Sequence, residues 1–350
     1  MNPTDLRNNG NSLRYTTATV LLVLVALVCA AGCLLEGSVR IPAPDVWGAV
    51  TGGDVSKDTW RIIVTDMRLP MVITAAMAGA ALSVAGLLLQ TGFNNPLAGP
   101  SILGISTGAS LGVAVVVLYF GGMVADEWGQ YFNIMTGALV GAAVVIAVLL
   151  GMSRIVRSTA MLLIVGILTG YFASSAISLL NYHSSQEGVY SYTIWGLGSF
   201  AGSTPGRSGA FAAVALPAIL LAMLMIKPLN AMLLGERYAE SLGIDIRRVR
   251  YIILTLSGIL TALVTAFCGP IGFLGLIVPH VARMMLRTSN HSVLLPVTAI
   301  AGAAIALLCA FISVHWGGDG IIPINAITPI IGVPVIVYVI VCRKKLMYFD

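Results

Sequence analysis

KPLNAMLLGERYAESLGIDIRRVR, Lys227 to Arg250, lies between two long apolar runs, Ser208–Ile226 and Tyr251–Cys268, and sets Lys227, Glu236, Arg237, Glu240, Asp245, Arg247, Arg248 and Arg250 between them. A charged island between such flanks marks a place where a membrane protein meets water. Its own chemistry gives it a shape. Leu229 to Leu234 suits a short helix, Gly235 permits a turn, Glu236 to Leu242 suits a second helix, and Gly243 suits a left-handed cap. Two short helices at a bend make a compact knob.

The flanks of the island recur along the whole chain. Only 9% of the 350 residues are charged and 58% are hydrophobic, whereas an average soluble domain has roughly 25% charged residues. Crossing about 30 Å of hydrocarbon takes about 20 helical residues. Uncharged stretches near that length are Tyr15–Leu35, Met71–Gln90, Leu97–Gly122, Tyr131–Ser153, Ser158–Tyr182, Ser208–Ile226, Tyr251–Cys268, Val293–Ile312 and Ile321–Cys342, with Pro270–Val281 a shorter tenth piece. Weak alternation and high Ala, Gly and Leu content favour helices over barrel strands. The expected fold is an all-α, polytopic helical bundle of about ten transmembrane helices, a single membrane domain over 1–350 with the 227–250 island attached.

Charge placement orients the bundle. With the N-terminus inside and all ten pieces crossing, fourteen of the nineteen Lys and Arg fall inside, among them Arg14, Arg154, Arg157, the island, Arg283, Arg287 and Arg343–Lys345. The outer side holds Arg40, Lys57, Arg61, Arg68 and Arg207 against nine acids, including Glu36, Asp45, Asp126 and Asp319. This positive-inside bias places the island and both termini in the cytoplasm. The net charge of +5 then reflects topology, with no need of a nucleic-acid partner.

Several local features have plain readings. Arg7, Arg14 and the run ending Ala30-Ala31-Gly32-Cys33 loosely resemble a lipoprotein signal, but the apolar run continues to Leu35, which favours a retained first helix. Cys29 and Cys33 share a helix face, where a disulfide would be strained, so apolar packing is the better use. The connection Glu36–Pro70 reads as a folded outer loop with a short helix at Asp45–Thr51. Gly104, Gly108 and Gly112, like Gly137 and Gly141, recur at every fourth residue and offer small faces for close helix packing. His183, His280, His291 and His315 form no recognisable ligand cluster, so no metal or haem ligation is expected.

No Asp, Glu, Lys or Arg falls near the centre of a proposed crossing, and no G-x-x-x-x-G-K-[ST] phosphate loop is present. Ion-coupled carriers usually need such midplane groups, and nucleotide hydrolysis by the phosphate-loop route needs that motif. An uncharged conduit with a charged docking segment points to a permease driven by a separate motor. A secondary carrier driven by an ion gradient, and an intramembrane enzyme, are the competing classes. The first lacks midplane charges and the second lacks a paired nucleophile and base.

A family resemblance rests on an ordered series of motifs. Arg68-Leu69-Pro70, Ala78–Gly86, Gln90, Asn95-Pro96-Leu97-Ala98-Gly99-Pro100 and Leu103-Gly104 are followed by Leu234-Gly235-Glu236, Ala239, Ser241-Leu242-Gly243, Gly269–His280, Arg283, Leu294-Leu295-Pro296 and Gly332-Val333-Pro334. The series, spanning about Arg61 to Lys345, resembles the FecCD-type permeases of ABC importers, which serve iron–siderophore, haem and cobalamin uptake. The resemblance implies a type II importer permease, acting as a homodimer with two ABC ATPase subunits and an extracytoplasmic substrate-binding protein in a bacterial inner membrane. No catalytic residue and no directly bound cofactor are implied, because ATP is used by the partner.

The resemblance also assigns roles. The knob would sit in a cleft of the ATPase, with Leu234, Gly235, Glu236, Arg237, Ala239, Glu240, Leu242 and Gly243 forming the coupling segment and an apolar centre at Ala239 and Leu242. A solvated loop is the plainer alternative. A cytoplasmic gate would be formed by Asn95 and Leu97, with Thr159 and Ala160 as a second constriction; Ala160 lacks the hydroxyl of a polar gate. Pro96 biases Asn95 away from helix, so its amide is expected to face the path, a plain turn being the alternative. Arg68, assisted by Arg61, would dock the binding protein, or Arg68 would serve as an interfacial anchor. Met71 and the stretch Ala310–Trp316, AFISVHW, depart from the family's further docking charges.

Overall fold

The computed structural model describes residues 3–121, 127–156, 158–317 and 320–341. Gly122, Asp126, Arg157, Asp319, Cys342, Arg343, Lys344 and Lys345, which enter the segment and charge reading, lie outside them. Among the described residues the secondary structure is helical throughout. The helices are α1 (Pro3–Leu35), α2 (Ala43–Thr51), α3 (Asp58–Ile62), α4 (Leu69–Gly92), α5 (Ile105–Ala114), α6 (Glu127–Ile155), α7 (Thr159–His183) and α8 (Gln186–Gly196). They continue with α9 (Pro205–Met223), α10 (Ile226–Met232), α11 (Glu236–Ser241), α12 (Ile246–Cys268), α13 (Leu274–Leu286), α14 (His291–His315) and α15 (Ile324–Val341). Among the described residues, seven helical spans are long and apolar enough to cross a membrane, and 105–119, 274–286 and 324–338 are shorter apolar pieces, which together match the ten expected segments.

Helix α4 is the axis of the bundle, packed against α9, α12, α13 and α14. Every residue from Ala78 to Gly92 is buried, so its Ala, Gly and Ser content serves close approach on all sides. A Cβ at Gly79 would lie 2.1 Å from the Gly302 carbonyl oxygen of α14. The expected glycine faces meet each other: a Cβ at Gly112 would lie 1.9 Å from the Gly137 carbonyl oxygen, and one at Gly141 would lie 2.1 Å from that of Gly108. Backbones this close gain dispersion contacts where lipid supplies no hydrophobic drive.

Three boundaries differ from expectation. The outer connection is not a loop as far as Pro70: helix resumes at Asp58 and runs through a π stretch, Ile63–Arg68, into α4. Pro70 has no amide hydrogen to donate, and the wider turn before it takes the Leu69 N–H back to Val64 O. The third crossing begins at Ile105 rather than Leu97, because Pro96, Gly99 and Pro100 interrupt the run and Gly104 turns at φ 74°. Helix α8 falls in a connection for which no helix was expected; Ser185 caps it by accepting the Gly188 N–H at 3.2 Å.

Candidate functional site

The island is the expected two-helix knob. Gly235 separates α10 from α11 at φ 99°, ψ 148°, a region open essentially to glycine alone. Gly243, at φ 81°, closes α11 in a Schellman motif: its N–H donates to Glu240 O at 2.9 Å, and the Ile244 N–H donates to Ala239 O at 3.1 Å. Asp245 then caps α12 by accepting the Arg248 N–H at 3.1 Å. Turn, cap and restart follow one another within a few residues, so the knob is rigid.

Its surface differs from expectation in one respect. Ala239 is fully buried and packs with Ala231 and Ile246 in the knob's own small core, because it sits on the inner face of α11 where the Schellman turn folds Ile244 back. The exposed apolar centre is instead Leu234, Tyr238 and Leu242, each more than half exposed, with exposed Glu236, Arg237 and Glu240 around it. Tyr238 carries no motif signal; the four-residue spacing of these three is what could have found it. Glu236 also accepts a hydrogen bond from Arg250, tying the start of α11 to α12.

The Asn95–Leu97 loop hangs from the last turn of α4 at the same end of the bundle. Asn94, at φ 45°, ends the helix; its N–H donates to Thr91 O at 3.1 Å and the Asn95 N–H donates to Gln90 O at 3.0 Å. The Asn95 side-chain oxygen accepts the Leu97 N–H at 2.9 Å, so half of the amide is committed to the turn, while the Leu97 side chain is exposed. Buried His280 donates from Nε2 to Pro96 O at 2.8 Å, which pins the loop to α13. One turn further along α13, Arg283 donates to Gln90 Oε1 at 2.6 Å, and Gln90 Nε2 donates to Leu276 O at 3.0 Å. His280 therefore orders the loop. Thr159 and Ala160 open α7, the first partly exposed and the second exposed.

At the opposite end the docking assignment of Arg68 needs correction. Its side chain is buried, and its guanidinium donates to Leu34 O at 2.6 Å and to Val39 O. Both forks close the turn after α1, so they are not presented to a partner. Arg61 is partly exposed and donates to Gly53 O at 2.7 Å. His315, in the divergent AFISVHW stretch, is hydrogen bonded to Glu36.

A many-span helical bundle with an exposed two-helix knob at one end and a pinned loop beside it has the build of a membrane permease. The chain belongs to the FecCD transport family, which matches residues 21–342. It is 31% identical over 94% of its length to a vitamin B12 import system permease protein, BtuC, of Vibrio cholerae, covering 95% of that protein. It is 32% identical to the ABC transporter permease protein YvrB of Bacillus subtilis, covering 97% of this chain and 96% of that one. A solved inward-facing structure assigned to the metal-chelate type of ABC transporter superposes with a TM-score of 0.81 at 28% identity, over 94% of this chain and 99% of the other. The protein is a multi-pass membrane permease subunit of an ABC importer of the FecCD type.

Proposed function

We propose that two copies of this chain pair around a central pathway and import a metal chelate of the ferric siderophore, haem or cobalamin class, using ATP hydrolysed by two partner ATPase subunits. The observation that carries this reading is the exposed Leu234, Tyr238 and Leu242 cluster ringed by Glu236, Arg237 and Glu240 on a rigid two-helix knob. An apolar centre within a charged rim suits a protein partner better than water. The knob end faces the cytoplasm, where ATP is, and both termini lie on that side. An extracytoplasmic binding protein delivers cargo at the opposite end, with Arg61 among its contacts. The protein itself holds no cofactor.

Alternating access follows from this arrangement. Closure of the ATPase dimer shifts the knobs, and the loops at Asn95–Leu97 and Thr159–Ala160 widen or narrow the exit, since coupling requires contacts that differ between two states. The outer face of α7, where Leu168, Tyr171, Phe172, Leu179 and Tyr182 are all exposed, is open to a second copy or to lipid, and we place the pairing there. The BtuC relative, named for vitamin B12 import, supports cobalamin as one cargo to test.

The test is reconstitution in proteoliposomes with the co-expressed ATPase and binding protein. The expected result is uptake of one of the three cargo classes on ATP addition, with no uptake on a proton or sodium gradient alone. Gradient-driven uptake without ATP would make the chain a secondary carrier. Growth of a deletion strain on each chelate as sole source identifies the cargo.

A further inference from the structure

A chain of polar side chains, buried at Thr91 and His291 and partly exposed at Asn230, joins the knob to the inner loop through residues that no motif singles out. Asn230 of α10 accepts two hydrogen bonds at Oδ1, from the His291 backbone N–H at 2.8 Å and from His291 Nδ1 at 3.0 Å. The other ring nitrogen, Nε2, lies 2.8 Å from Thr91 Oγ1 in the last turn of α4. His291 is 1% exposed and Thr91 4%, so each must find its partner inside the protein.

The direction of every bond is fixed from one end. Asn290 caps α14 by accepting the Ser292 N–H at its side-chain oxygen, at 2.9 Å. That oxygen also faces Asn230 Nδ2 at 3.0 Å, so Asn230 presents its amine to Asn290 and its oxygen to His291. Nδ1 of His291 must then carry the proton, and Nε2 accepts from the Thr91 hydroxyl. The imidazole is a rigid spacer with one occupied bond on each side. Beyond Thr91, the backbone oxygen of the same residue holds the Asn94 N–H, which is where α4 ends and the loop to Leu97 begins.

We infer that Asn230, His291 and Thr91 are positioning residues that transmit displacement of the Ile226–Ser241 knob to the Asn94–Leu97 loop. The inference rests on the knob and gate roles proposed above. A shift of α10 moves the oxygen on which both the ring and the first backbone amide of α14 are held, and the ring carries that shift to the turn that suspends the loop. These three residues act only through the elements they tie together.

The experiment uses the assembled transporter carrying Leu97→Cys, since Leu97 is 46% exposed, and follows maleimide labelling there with and without a non-hydrolysable ATP analogue. In the parent protein the analogue is expected to change the labelling rate about tenfold, within the usual range of coupling between sites. Thr91→Val keeps the shape but removes the hydroxyl, and is expected to keep the ATPase bound while the response falls below about twofold; Thr91→Ser restores it. Asn230→Ala cuts the other end and gives the same loss, and the double variant loses no more than either single one. A full response in Thr91→Val or Asn230→Ala, or failure of Thr91→Ser to rescue, overturns the inference. So does loss of assembly in all the variants, which would make the chain purely structural. If the parent protein does not retain the ATPase, the knob role itself fails; if it retains the ATPase but shows no response at Leu97→Cys, the gate role fails, and the inference falls with either.

Discussion

Arg68 reaches back from the π stretch to the end of α1, where its Nη1 donates to Leu34 O at 2.6 Å. The second fork of the guanidinium meets Val39 O, and a Cβ at Gly37 would stand 2.8 Å from Nη2, so the turn wraps the side chain closely. Two carbonyls in a planar fork suit arginine and not lysine. Arg68→Lys is therefore expected to loosen the Glu36–Ile41 turn, read as faster proteolysis there, while the binding protein still docks. Unchanged proteolysis with lost docking would return Arg68 to the surface role.

Gly235 has nothing within 4 Å of an added Cβ, so a substitution there acts through the backbone alone. At φ 99° an alanine carries about 1–3 kcal/mol of strain. Gly235→Ala is expected to express and insert normally yet lower ATP-driven uptake, with Gly235→Trp abolishing it. Wild-type transport by a normally expressed Gly235→Trp variant would show that the knob is not a lever.

Two glycines on facing or free sides of the bundle should respond in opposite directions. Gly112→Ala forces apart backbones that meet at Gly137 and is expected to cost about 2 kcal/mol or more. Gly151, within α6, has nothing within 4 Å of its Cβ position, and Gly151→Ala should stabilise by about 0.5–1 kcal/mol through helix propensity. Thermal unfolding in one detergent compares the two. Equal shifts would refute the close approach.

Asp45, in the outer α2, accepts the Ser56 N–H at 2.6 Å. That bond holds its carboxyl below the ordinary carboxylate range. A lowered folded value means the stabilisation is fully present above the unfolded pKa of about 3.9 and is lost as pH falls through the folded value. Hydrogen exchange of the Ser56 amide, corrected for intrinsic rates, should keep constant protection from neutral pH to near that point and lose it below. Asp45→Asn should make the protection independent of pH; persistence of the acid loss in that variant would assign it elsewhere.

The motifs of the knob were readable because each acts over a few residues. Gly235 and Gly243 occupy backbone regions that glycine enters readily, and the helices they bound, α10 and α11, are short and local. The inner loop was half readable. Pro96 lies beyond the end of α4 at Gly92, the turn out of the helix is made by Asn94 in the left-handed region, and the fixing partner of the loop, His280, lies 184 positions away from Pro96. Helix α8 and the extension Asp58–Arg68 were missed because charged and polar residues interrupt their apolar pattern while leaving helical hydrogen bonding intact.

The amino-acid sequence by itself determined the all-helical bundle, the ten apolar pieces and the knob, because span length, glycine placement and charge islands are properties of contiguous chain. Only the tertiary structure decided which polar groups face one another. It buried Ala239, closed Arg68 onto the α1 turn and set Thr91 against His291, 200 positions apart. A buried donor or acceptor is satisfied by whatever helix packs beside it, and that neighbour is chosen by the close packing of whole helices, which no local pattern encodes.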